Sequence, residues 1–106
     1  RASARYTQRP AGFTLFSFMD RLAGQTGLKE KISYMKPSSS VDESSGLKMT
    51  YVELKLQDVT LEALTSYLFR VETSQYMVRV SSLSISKTGE EKGLLSVLMK
   101  VETVAA

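Results

Sequence analysis

Cysteine and histidine are both absent from this 106-residue chain. The first absence removes structural disulfides, thiolate chemistry and cysteine-based metal sites. The second removes the commonest general base, metal ligand and neutral-pH switch. Tryptophan is missing too, and the aromatic residues are four Phe and five Tyr. No apolar run approaches the roughly 18 residues needed to span a bilayer, and no signal-peptide pattern is present. The chain begins at Arg1 rather than Met, which leaves room for a membrane anchor upstream of this sequence.

What is present fits one small globular domain. A chain of this length buries only about 60–65% of the surface its unfolded form exposes, so one thin core is expected. The 42% hydrophobic content is ordinary for a folded domain and too high for a disordered one. Fourteen basic residues against eleven acidic ones give a net charge of +3. Arg1, Arg5 and Arg9 account for all of that excess, and residues 1–13 carry no periodicity. They read as a solvated linker rather than a basic binding face.

Residues 14–104 read as the folded domain. Thr14 is an N-cap, and Leu15, Phe18, Met19 and Leu22 fall on one helical stripe over 14–26. Gly27 suits the left-handed position that ends a helix. Residues 29–36 read as a short strand, with Ile32 and Tyr34 sharing a face and Pro37 stopping it. The polar segment 37–46 then reads as a loop. Over 47–57, Val52, Leu54 and Leu56 alternate with Tyr51, Glu53, Lys55 and Gln57, the period of a half-buried strand. Asp58 and Val59 turn the chain, Thr60 caps a second helix, and Leu61, Leu64, Leu68 and Val71 form its expected buried stripe. A third strand begins near Tyr76. Its apolar set shifts phase from Val78 and Val80 to Leu83 and Ile85, which requires an extra residue and predicts a β-bulge at Ser81–Ser82. Residues 88–93 form a hairpin loop, and a last strand follows over 94–103 with Leu95, Val97, Met99 and Val101 inward.

The order α-β-β-α-β-β predicts an α+β fold: a ferredoxin-like two-layer sandwich in permuted order, a four-stranded antiparallel sheet with two helices on one face. Thr14 and Thr60 are 46 residues apart, a spacing consistent with structural duplication.

No constellation for chemistry accompanies this fold. Serine is abundant, but there is no G-x-S-x-G elbow or S-x-x-K, and no His or Cys to activate a hydroxyl. Adjacent acids occur only as Asp42–Glu43 and Glu90–Glu91, both in expected loops. Calcium-loop spacing, the P-loop and G-x-G-x-x-G are all lacking. The expectation is a non-enzyme with no catalytic, metal or cofactor site. Nucleic acid is not an expected partner either, because nothing in the third strand matches the aromatic pattern of RNA-binding sheets. A partner-binding surface remains, with Met49, Tyr51, Tyr67, Tyr76 and Leu98 as candidate residues: a two-layer fold leaves one sheet face and two strand edges open.

The runs VELKLQDVTLEAL (52–64), Tyr67-Leu68 and VRVSSLSI (78–85), with ISYMKP (32–37) upstream, carry a family resemblance. Over residues 13–104 the chain resembles the C-terminal domain of the type II secretion system protein M family and is similar to the pilus-assembly PilO family. The shared motifs are hydrophobic spacings rather than catalytic residues. The resemblance implies a single-pass inner-membrane protein whose periplasmic domain forms homodimers, associates with secretion platform protein L or its pilus equivalent, and helps assemble pseudopilins. The membrane would be reached only through the upstream anchor. Two rivals stay open: a ferredoxin-like small-molecule sensor or regulatory domain, and an RNA-binding module.

Overall fold

A computed structural model describes residues 14–88 and 93–104. The expected linker, residues 1–13, and the middle of the expected 88–93 hairpin loop lie outside the described residues. Thr14 caps the first helix, α1 (Leu15–Gln25), accepting the Ser17 amide at 3.0 Å and so satisfying one orphan donor of the first turn. Gly27 ends the helix at φ +78°, a conformation that costs glycine little. The Leu28 amide then reaches back 2.8 Å to the Ala23 carbonyl, the six-to-one closure of a glycine-terminated helix. Leu15, Phe18, Met19 and Leu22 are all buried, as their spacing predicts.

A 3-10 turn over Lys29–Lys31 leads into β1 (Ile32–Val41). This strand corrects two expectations. It runs straight through Pro37, so the loop expected over 37–46 shrinks to residues 42–47. Proline is tolerated because β1 lies at the sheet edge, where a strand can do without one ladder donor. A register shift between Ile32 and Tyr34 also separates the two residues expected to share a face. Ile32 and Met35 pack against the core, while Tyr34 turns to the opposite side.

The second strand, β2 (Lys48–Thr60), is longer than expected and reaches the helix cap itself. A bulge between Leu56 and Val59, with Asp58 at φ +59°, keeps Val59 buried where a turn was expected. Thr60 caps α2 (Leu61–Glu72) by accepting the Ala63 amide at 3.1 Å. The buried stripe of α2 is Leu64, Tyr67 and Val71, with Leu68 half-buried. Leu61, expected in that stripe, is 63% exposed. The last two strands are β3 (Arg79–Lys87) and β4 (Leu94–Val104). The predicted bulge is present, between Val80 and Ser82.

Strand order is β1-β2-β4-β3, with every neighbouring pair antiparallel. β2 and β4 are therefore central, and β1 and β3 are edges. Val52, Leu54 and Leu56 of β2 stand beside Val101, Met99 and Val97 of β4 in one continuous aliphatic field. Both helices cover that field and none of the described elements covers the other side, giving the two-layer α+β architecture. Tyr67 lies at the centre. It is fully buried, and its hydroxyl donates to the Met19 carbonyl of α1 at 3.0 Å, tying the two helices together.

Tyr67→Phe removes that single bond and is expected to lower stability by about 1 kcal/mol. Tyr67→Ala also opens a cavity between the layers and is expected to cost about 3–5 kcal/mol. Urea denaturation of the two variants, read by circular dichroism, checks both values and their order.

Candidate protein-binding surface

The uncovered face of the sheet follows from the same alternation that builds the core. Residues interleaved with the buried set must point away from the helices. On β2 these are Met49, Tyr51, Glu53 and Lys55; on β4 they are Leu98, Lys100, Glu102 and Val104. Cross-strand pairing sets them in rows. One row runs Lys36, Glu53, Lys100, Ser82, and the next runs Ser38, Tyr51, Glu102, Arg79. Opposite charges thus stand side by side, the arrangement that stabilises neighbouring strands.

Local contacts tighten these rows. The Tyr34 hydroxyl donates to the Glu53 carboxylate at 2.9 Å, and the Lys36 ammonium lies 4.7 Å from the centre of the Tyr34 ring. Lys100 sits 4.8 Å over the Tyr51 ring, whose hydroxyl is 3.1 Å from that of Ser40. Arg79 reaches Glu102 through two nitrogens, at 2.8 and 3.2 Å. Exposed contacts of this kind each contribute about 1 kcal/mol or less. Their effect is to hold the face in one polar pattern.

Three of the five candidate residues share this face: Met49, Tyr51 and Leu98. They are not one patch. Leu98 pairs with Lys55, six residues along β2 from Met49, or about 20 Å of strand. Leu98 is 42% exposed and Tyr51 is half-buried beneath Lys100. The other two candidates stand elsewhere. Tyr67 belongs to the core, because the α2 stripe is centred on Leu64, Tyr67 and Val71 rather than on Leu61 and Leu68. Tyr76 precedes β3 instead of lying in it and packs edge-on against Phe18 of α1, ring centres 5.5 Å apart.

The exposed set includes three residues that periodicity placed in buried stripes, Leu61, Leu83 and Ile85, together with Phe69, which the sequence places on the flank of the α2 stripe. Leu61 and Phe69 on α2 are 63% and 67% exposed, and Leu83 and Ile85 on β3 are 42% and 45% exposed. Leu83 and Ile85 do point to the helical side, as the bulge predicts, since they pair with Met99 and Val97. They stay exposed on β3, the edge strand, although α2 meets that strand where the Glu72 carboxylate accepts the Val80 amide. Four apolar residues outside the core were the available signal, but periodicity reports a face and not whether anything covers it.

Among the described residues there is no group of acidic residues that could hold a metal ion and no helix long and apolar enough to cross a membrane. The described elements define a class: a two-layer α+β domain with an ordered sheet face that none of them covers and with β1 and β3 as edge strands. Within that class, a solved structure of the type 4 fimbrial biogenesis protein PilO from Pseudomonas aeruginosa is similar to this chain. The TM-score is 0.73 at 12% sequence identity, over 96% of this chain and 76% of that one. The family resemblance read from the sequence therefore holds at the level of the fold. No protein-family model matches the sequence, and no curated protein matches it either.

The hydrogen bond from Tyr34 to Glu53 first, then burial and the nearby carboxylate charge, raise the Tyr34 pKa above its ordinary value of 10.0. A raised phenol favours the fold below the unfolded pKa, near 10, and that contribution is lost as pH rises through the folded value. The absorbance difference between the unmodified chain and Tyr34→Phe is expected to titrate above pH 10. Glu53→Gln is expected to bring the Tyr34 transition back towards it. An unshifted transition in the unmodified chain would refute the link.

Proposed function

We propose that this domain is a non-enzymatic structural component of a bacterial inner-membrane assembly platform of the type IV pilus or type II secretion kind. It acts on the periplasmic side, anchored through a segment upstream of this sequence. The observation that carries the reading is the fold likeness to PilO along nearly the whole chain. That neighbour is a fimbrial biogenesis protein, and the described residues of the present chain offer surface and edges.

In this reading the domain works by association: with a second copy of itself, with a partner of the protein L type, and through that platform with pseudopilins. Met49, Tyr51 and Leu98 on the open face are the residues we assign to the heterologous partner. The patterned charges around them favour orientation and partner choice over raw affinity, as complementary polar interfaces do. The space between helices and sheet, where an effector would sit in a sensor of this architecture, is filled by Met19, Leu54, Tyr67 and Met99.

Sedimentation of the domain over micromolar to millimolar concentrations, alone and with the periplasmic domain of a protein L homologue, tests the proposal. Self-association and a mixed complex are expected. Leu98→Glu is expected to weaken the mixed complex at least tenfold without moving the melting temperature. A strictly monomeric domain that binds no such partner would overturn the reading.

A further inference from the structure

Among the exposed apolar side chains, Leu61 of α2 and Leu83 and Ile85 of β3 lie along one flank. Helix α2 runs beside β3 in the opposite direction. Its end is fixed there, because the Glu72 carboxylate accepts the Val80 amide at 2.8 Å. Its start follows Thr60, which pairs with Leu94, while the neighbouring Leu95 pairs with Lys87 at the far end of β3. Leu61, Thr65, Leu68 and Glu72 fall at i, i+4, i+7 and i+11, so the stripe that ends on β3 begins with Leu61. Phe69 stands further round, on the outer side of the helix away from the sheet, where with Leu61 and Thr65 it lines a shallow apolar depression. The floor beside this wall is the helical side of β3, bearing Leu83 and Ile85.

The edge itself is unguarded. β1 carries Pro37, a residue that blunts strand pairing, whereas β3 has neither proline nor charge between Arg79 and Lys87. Arg79 is already engaged by Glu102. Beyond Arg79, β3 presents Ser82, Ser84 and Ser86 on the open side, small enough to admit a neighbouring strand.

We infer that this flank is the seam of a twofold dimer, in which β3 pairs antiparallel with β3 of a second copy. This deepens the self-association in the proposed function and rests on it. The strand is self-complementary in one register. With Ser84 opposite Ser84 of the second copy, each Leu83 faces an Ile85 on the helical side, and Ser82 faces Ser86 on the other. Lys87 then meets Ser81, so no like charges oppose each other. Such pairing makes one eight-stranded sheet with all four helices on the same side. The two β4 strands stand three strand spacings apart, about 14 Å. Helices are about 10–12 Å across with their side chains, so the two α2 helices come side by side above the seam. A standard interface buries roughly 800 Å² per partner. Main-chain pairing along β3 and the burial of Leu83 and Ile85, 42% and 45% exposed, are what this edge contributes towards it.

Because the chain has no cysteine, one substitution reports the register directly. Ser84→Cys is expected to form a disulfide-linked dimer under mild oxidation, and Ser38→Cys on the opposite edge is not. By sedimentation, Ile85→Lys is expected to raise the dimer dissociation constant at least tenfold, while Val41→Lys on β1 leaves it unchanged. Melting curves establish that Ile85→Lys is folded; if it is not, the Ser84→Cys cross-link decides. Should the unmodified chain dimerise while Ile85→Lys dimerises equally well and Ser84→Cys fails to cross-link, this seam is wrong and self-association stands elsewhere. A chain that stays monomeric to millimolar concentration overturns both.

Discussion

The buried aliphatic side chains of β2 and β4 lie on one side of the sheet, and among the described elements only that side is roofed. Both helices are short and amphipathic, so neither can hold its shape without that field beneath it. The sheet likewise depends on the helices, since its covered face is nearly all Val, Leu and Met. The bond from Tyr67 to the Met19 carbonyl then fixes how the two halves of the roof meet. A phenol at that depth needs a partner, and the backbone of α1 supplies one that does not move.

Keeping the core-forming aliphatic groups on one side has a geometric consequence. A strand alternates strictly, so any change of phase must be absorbed by an extra residue. The sheet uses this device at three places: between Ile32 and Tyr34, between Leu56 and Val59, and between Val80 and Ser82. The last was legible because apolar residues flank it on both sides and announce the change of phase. The first was not, because Tyr34 is amphipathic and its letter fits either face. Asp58 hid the second: it resembles a turn residue, and it does adopt a left-handed conformation, but inside a strand.

Element order, both helix caps and the inward set of β4 could be read from spacing alone, since each rests on local chemistry. Coverage could not be read that way. Leu61 and Leu68 sit in the α2 sequence as though they belong to the stripe, yet Tyr67 is the residue that reaches α1. Where a helix lies over a sheet decides which of its flanks is wet, and that depends on packing between distant segments. Tyr76 illustrates the same limit. It seemed to open a strand, but Phe18 of α1 holds it against the helical layer.

The two free aspects of the sheet differ in kind, and the difference bears on what each can do. The open face is polar, with Arg79 paired to Glu102 and Glu53 bonded by Tyr34, so covering it costs desolvation that a partner must match group by group. Such a surface selects partners sharply and binds them modestly. The β3 flank is the reverse: aliphatic side chains beside unpaired backbone, which any extended chain can satisfy with little discrimination. A protein that left this flank bare would risk indiscriminate strand addition. Occupation by an identical copy removes that hazard at once, because the same strand that exposes the edge closes it, and leaves the selective face free on both sides of the seam for a different partner.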